Sequence, residues 1–281
     1  SRLASLGGEK DALTEAINQS TSRTEEKVAE IKTVTESIVK KPPLQKDDPV
    51  QSDQGGEEEY LLGLKVEGKR IAFLVDTSAS MTDEKLVDII SRKVASDGEK
   101  RRGPKWQRTI RTVKWLANRI PKNSKARFLG FNEKVFAIGP GSWFSGSDAG
   151  AIESVFQRME SIVPEGATNL EAVLETVNGF SDTPTNYYLV TDGLPTAGTS
   201  NFTSLNPFSN CNSLFGKSAT ISGECRLKLF NHTIRKHGLH KGRPVNVILL
   251  PLEGDPKAAP AFWSWTFSTN GLMISPAESW P

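Results

Sequence analysis

Apolar residues along this chain follow two rhythms that alternate from about residue 60 to the end. Residues 71–75, IAFLV, are apolar without interruption. A run of that kind predicts a strand buried on both faces, hence a parallel strand in the middle of a sheet. Residues 187–190 and, apart from Asn246, 245–252 have the same character, and 271–275 form a last, shorter run. Between these runs the apolar positions take helical spacing. Residues 85–94 predict a short helix. Ile110, Val113, Ala117 and Ile120 line one face of residues 105–120. Further helical faces are marked by Ile152, Val155, Phe156, Met159 and Ile162, and by Leu170, Val173, Leu174 and Val177. Residues 227–237 and 258–267 predict two more helices. ARFLGFNEKVFAIG, two apolar runs joined by Asn132, Glu133 and Lys134, predicts a tight hairpin and so one antiparallel edge strand. The sequence thus predicts an α/β fold with a doubly wound, mostly parallel central sheet and one antiparallel edge. It occupies residues 60–281, with insertions at 82–104 and 194–225.

Upstream the pattern changes. In residues 9–41 apolar or threonine positions recur at Ile17, Thr21, Thr24, Val28, Ile31, Thr35 and Ile38, alternately four and three apart as in a heptad seam. Residues 1–42 are expected to form a helical stalk, with a weak coiled coil and oligomerisation through 9–41 as one outcome and a solvated helix as the other. Residues 43–59 are rich in Pro, Gly and acidic side chains. They bury too little apolar surface to offset the entropy of ordering and read as a linker.

Composition adds little to this division: 37% hydrophobic and 24% charged residues with a net charge of +2 are ordinary for a globular chain. The charge is uneven, however. Residues 1–60 carry 13 acidic and 8 basic side chains, net −5, and the rest carry 20 and 27, net +7. The basic residues cluster in SRKVASDGEKRRGPKWQRTIR, but Asp97 and Glu99 intervene and Trp106 is the one aromatic among them. That reads as a solvated segment, and no nucleic-acid partner is expected. No run of eighteen apolar residues is present to span a membrane; a membrane tether upstream of Ser1 is an expectation.

The candidate chemistry begins where the first buried strand ends. Asp76, Ser78 and Ser80 place a carboxylate and two hydroxyls at alternate positions of a loop. Oxygen-only ligands suit a hard divalent cation, Mg²⁺ where carboxylates are few and waters are retained. DTSAS resembles the D-x-S-x-S signature of von Willebrand factor A (VWA) domains, whose metal ion-dependent adhesion site (MIDAS) binds partner proteins. Two further stretches strengthen the resemblance. GATNLEAVLETV places Thr168 in a loop before a helix, and YYLVTDG ends an apolar strand with Thr191, Asp192 and Gly193. Ala79 stands where many relatives carry Gly, at a position that supplies no ligand. The single-domain economy and the long insertion resemble the prokaryotic members of the family. The resemblance implies a metal site made of Asp76, Ser78, Ser80, Thr168 and Asp192, holding Mg²⁺ or another divalent cation such as Mn²⁺ or Ca²⁺. It further implies a protein partner that supplies an Asp or Glu to the metal.

The implied mechanism is recognition rather than turnover. Hydrolysis needs a base or nucleophile beside the metal, and His232, His237 and His240 all fall outside the three loops; they read as surface histidines near a helix end. No enzymatic activity is expected. After Asp192 comes a long stretch of little periodicity that should overhang the metal face. It carries Cys211 and Cys225, the two cysteines of the chain. A disulfide between them would contribute about 3 kcal/mol in the chain-entropy view and places the protein in an oxidising, extracytoplasmic compartment, periplasmic or at the cell surface; two unbridged thiols are the alternative. Trp263, Trp265 and Phe267 read as core and cover residues, not a sugar platform. The function expected is a cation-dependent protein-binding module. The alternative is a scaffold subunit of a membrane-associated complex with a structural or vestigial metal site.

Overall fold

A computed structural model describes residues 63–198, 221–238, 242–277 and 280, together with Glu15 and Ser22, both helical and exposed. The linker, nearly all of the stalk, His240 and residues 199–220 with Cys211 lie outside the described residues. Along the chain come β1 (Arg70–Asp76), a 3-10 turn (Ala79–Thr82), α1 (Leu86–Lys93), α2 (Asp97–Arg101), α3 (Pro104–Asn118), β2 (Lys125–Phe131), β3 (Val135–Ile138), β4 (Phe144–Ser145), α4 (Ala149–Ser161) and α5 (Leu170–Asn178). They are followed by β5 (Asn186–Thr191), α6 (Gly223–His237), β6 (Val245–Leu249), α7 (Ala258–Ser268) and β7 (Met273–Ile274).

The strands form one seven-stranded sheet in the order β3-β2-β1-β5-β6-β7, with β4 also on β2. β1 pairs in parallel with β2 on one side and β5 on the other, and β6 and β7 continue the parallel run. β3 and β4 run antiparallel to β2. The fold is therefore the doubly wound, mostly parallel α/β sheet expected, with β4 as a second antiparallel piece too short, at two residues, to leave a sequence signal. Strand β6 stops at Leu249 although the apolar run continues to 252; Pro251 has no N–H to give to the ladder.

Alternation within the central strands divides the core in two. Ile71, Phe73, Val75, Phe128, Tyr188, Val190 and Ile248 face α3 and α4, while Ala72, Leu74, Leu129, Phe131, Tyr187, Leu189 and Val247 face α5, α6 and α7. Phe73 anchors the first layer, stacked on Phe128 at 4.2 Å between ring centres and beside Tyr188 at 5.3 Å. Both faces of β1 being covered is what a continuous apolar run requires.

The segment 82–104 is built mainly of two short helices. Ser96 and Glu99 form a reciprocal capping box at the start of α2, the Ser96 side chain accepting from the Glu99 N–H and the Glu99 carboxylate from the Ser96 N–H. An S-x-x-E spacing is the sequence signal of that cap. Trp265 is buried at the core, whereas Trp263 and Phe267 on α7 are exposed.

Candidate metal centre

The sheet order places the site. From β1 the chain goes to β2 on one flank, and it later returns to β5 on the other. The crevice outside the carboxyl ends of β1 and β5 is thus where strand order reverses, the place where open α/β sheets bind ligands. Asp76 ends β1, and Asp192 follows the last residue of β5.

All five predicted ligands meet there. Thr168 Oγ1 donates to Ser78 Oγ at 2.9 Å, Ser78 Oγ lies 3.1 Å from Ser80 Oγ, and Ser80 Oγ donates to Asp192 Oδ1 at 3.0 Å. Asp76 accepts from the Ser78 N–H at 2.9 Å and from the Thr191 hydroxyl at 2.7 Å. Asp76, Ser78, Thr168 and Asp192 are buried, and Ser80 is half-buried, so the cluster reaches solvent on the Ser80 side.

Backbone bonds hold the loops in this arrangement. Thr77 N–H donates to the Phe131 carbonyl at 2.8 Å, tying the first loop to the end of β2. Ala79 N–H donates to Gly166 O at 3.1 Å and Glu165 N–H to Thr77 O at 2.9 Å, lacing the first loop to the second. Asn169 then caps α5 through the Ala172 N–H at 3.1 Å. The third loop crosses over the second: Thr196 and Ala197 N–H groups both donate to Thr168 O at 3.0 Å. The stretch after Asp192 therefore begins by covering Thr168, as an overhanging loop should.

Gly193 explains itself by close approach. A Cβ there would stand 2.7 Å from Asp255 Oδ2 and 2.9 Å from Arg226 Nη2. Those two groups are an ion pair at 2.8 Å that also clamps Leu194, Asp255 accepting from the Leu194 N–H and Arg226 donating to its carbonyl. Leu194 is itself fully buried. Gly193→Ala is expected to cost about 1–3 kcal/mol, the usual range for overpacking, as a lower denaturant midpoint with unchanged slope in a chemical unfolding titration.

Burial is the main force on the Asp76 carboxyl, and the nearby charge of Asp192 adds to it; together they push its pKa from 3.8 up to about 7, against the opposing hydrogen bonds from Ser78 and Thr191. Two carboxylates and three hydroxyls converging on one point form the donor set of a hard divalent cation with few charged ligands. Among the described residues no group of three or more His, Cys, Asp and Glu is placed to hold a metal ion; this cluster combines two carboxylates with neutral hydroxyls. The residues present fit a hard divalent cation.

One member of the cluster carries no motif in the sequence. Lys105 Nζ lies 2.7 Å from Asp192 Oδ2, with both side chains buried. Helical phase is the signal that could have found it: Lys105 shares a face of α3 with Thr109, Val113 and Leu116, all buried. His232 and His237 lie elsewhere, on α6. His237, expected at the surface, sits 3.4 Å from the buried carboxylate of Glu171, which Lys236 also meets at 3.1 Å. Cys225, expected in the polar loop, is a buried residue in the first turn of α6.

No family model matches the chain, and no curated protein matches it in sequence. Similar solved structures include a von Willebrand factor type A protein from Catenulispora acidiphila, 10% identical over 75% of this chain and 39% of that one, with a TM-score of 0.45. An aerotolerance-related membrane protein from Bacteroides fragilis is 16% identical over 75% of this chain and 92% of that one, TM-score 0.41. Proximal thread matrix protein 1 from the mussel byssus, with a zinc-occupied MIDAS motif, is 15% identical over 75% and 44%, TM-score 0.42. The matched region is less than half the length of the first and third of these. The doubly wound α/β fold of this chain rests on its own sheet order, and the candidate site on the side chains gathered at the carboxyl edge of that sheet.

Proposed function

We propose that this chain is a protein-binding module of the VWA type whose metal face captures a carboxylate of its partner through a divalent cation, Mg²⁺ first among the candidates. The observation that carries the reading is the single hydrogen-bonded cluster formed by Asp76, Ser78, Ser80, Thr168 and Asp192 from three loops far apart in sequence. Asp76, Ser78, Ser80, Thr168 and Asp192 would hold the ion. The bound ion supplies an electron-poor centre that takes one more anionic oxygen. The three hydroxyls keep the ligand charge low, the buried Asp76 and Asp192 fix the ion's place, and Ser80 marks the open side from which a partner approaches. Recognition rather than turnover is supported by what surrounds the cluster. Among the described residues the further side chains hydrogen-bonded to it include Thr191, Thr196 and Lys105, and His237 is engaged with Glu171.

The reading includes an extracytoplasmic setting, a membrane tether upstream of Ser1 and a Cys211–Cys225 disulfide that would staple the stretch over the metal face to the head of α6. Among the described residues no helix is long and apolar enough to cross a membrane. Calorimetric titration of Mg²⁺, Mn²⁺ and Ca²⁺ into the EDTA-treated protein tests the core of the proposal. One saturable site is expected for at least Mg²⁺ or Mn²⁺, and the absence of any saturable heat or melting shift overturns it.

A further inference from the structure

A lysine ammonium buried within a set of metal-binding oxygens is an unusual placement, because lysine is almost never fully buried unless paired. Lys105 is buried through its side chain, at 0% exposure, and its partner Asp192 is at 2%. The residue is held by the second position of α3, behind Pro104, whose fixed geometry starts that helix. The 3-10 turn of the first metal loop packs against the start of α3 where Gly103 approaches Thr82: a Cβ at Gly103 would stand 2.3 Å from the Thr82 carbonyl oxygen. Lys105 is thus presented to the third loop by a rigid element that is itself seated on the first loop.

Formal charge gives this pair its meaning. The cluster holds two carboxylates, Asp76 and Asp192, and one ammonium. Sites whose ligands repel one another without metal couple folding to metal binding. Here one of the two carboxylates has a covalently supplied counter-charge. An incoming divalent cation meets that ammonium at short range in a poorly solvated place, where like charges oppose each other strongly. If Lys105 stays, it repels the ion; if it withdraws, it becomes an unpaired buried charge. Both routes weaken cation binding.

We propose that Lys105 is the resident counter-ion of the metal centre: its ion pair with Asp192 holds the third loop in place without metal, and its charge keeps the divalent cation weakly bound and exchangeable. This rests on the cation-binding reading above and assigns the site a low, tunable affinity. A partner that brings a carboxylate to the ion would then add the negative charge that Lys105 offsets, so cation and partner are expected to bind cooperatively.

The test uses the full chain with Lys105→Met and Lys105→Gln beside the wild type, each melted in EDTA and titrated with MgCl₂ by calorimetry. Both variants are expected to melt lower than wild type in EDTA, to gain more from added Mg²⁺, and to bind Mg²⁺ at least tenfold more tightly. Lys105→Gln retains a donor for Asp192 and is the variant to rely on if Lys105→Met does not fold; Lys105→Met folding only with MgCl₂ present is the extreme form of the expected result. Wild type that binds Mg²⁺ as tightly as the variants, or variants that melt like wild type in EDTA, overturns the role of Lys105 and leaves the cation-binding reading standing. Binding of Mg²⁺ by the variants alone overturns a weak, exchangeable wild-type site and removes the cation-binding reading with it. Failure of all three to bind Mg²⁺ removes both.

Discussion

Asp76→Ala is expected to abolish divalent-cation binding, and with it partner binding, while the fold survives. The loss of binding follows from position: among the described residues Asp76 is one of the two carboxylates of the cluster, fully buried at the end of β1, and its removal leaves neutral hydroxyls and an Asp192 already paired with Lys105 to hold a doubly charged ion. Survival of the fold follows from weighing two effects. Removing the carboxylate leaves the buried Ser78 N–H without its acceptor, at a cost of about 1–3 kcal/mol. The Thr191 hydroxyl retains the Gly193 carbonyl, 3.5 Å away. Against this, the variant no longer has to ionise a carboxyl that burial and Asp192 hold up at about pH 7. In EDTA at pH 8 the two effects are of similar size, so the variant should unfold within about 2 kcal/mol of wild type. Calorimetry with Mg²⁺ and denaturant titration in EDTA check both halves. Retained, EDTA-insensitive binding of a partner by Asp76→Ala would refute the metal-dependent account.

The second large effect is a pH dependence of the metal-free protein with an unfamiliar sign. In the unfolded chain Asp76 ionises near its ordinary value of 3.8, whereas in the folded protein it holds its proton to about 7. Between those values the native state binds more protons than the unfolded state, so stability falls as pH rises through that window and levels off above it. A paired, depressed carboxylate would give the opposite slope. The full span corresponds to on the order of 4 kcal/mol, or roughly 10 °C in melting temperature for a domain of this size. From pH 5 to pH 8, which covers about three-fifths of that span, the melting temperature in EDTA should therefore drop by roughly 6 °C, and Asp76→Ala should lack this drop. Cation binding needs the ionised carboxylate, so saturating Mg²⁺ should raise the melting temperature at pH 8 far more than at pH 5. A Mg²⁺ increment that is equal at the two pH values would contradict the assignment of Asp76 to the ion.

Much of the molecule is legible in the sequence because its signals are local. The run from Ile71 to Val75 has the composition of a double-faced strand, and β1 is covered by α3 and α4 on one side and α5 to α7 on the other. Asn132 to Lys134 close the expected hairpin, with the Asn132 N–H bonded to Lys134 O at 3.0 Å. The five candidate ligands are legible because each follows a strand end or precedes a helix, and the fold gathers such places at one edge. What escapes is charge in the interior. Lys105 looks like the polar start of a helix, although its spacing with Thr109, Val113 and Leu116 puts it on the buried face. Its partner is 87 residues away, and nothing local distinguishes a lysine that will meet a carboxylate from one that will meet water. The Arg226–Asp255 clamp on Leu194 is hidden for the same reason. In segment 82–104 the Gly and basic residues suggest a solvated insertion and mask the capping box of Ser96 and Glu99.

The central claim is that three distant turns form one cation site, and a crystal structure of the protein grown with Mn²⁺ tests it most directly through the ion's anomalous scattering. The account predicts a single strong anomalous peak within the cluster of Asp76, Ser78, Ser80, Thr168 and Asp192, with Lys105 still facing Asp192. A cluster without a peak, or Mn²⁺ bound only at other carboxylates of the chain, would contradict it.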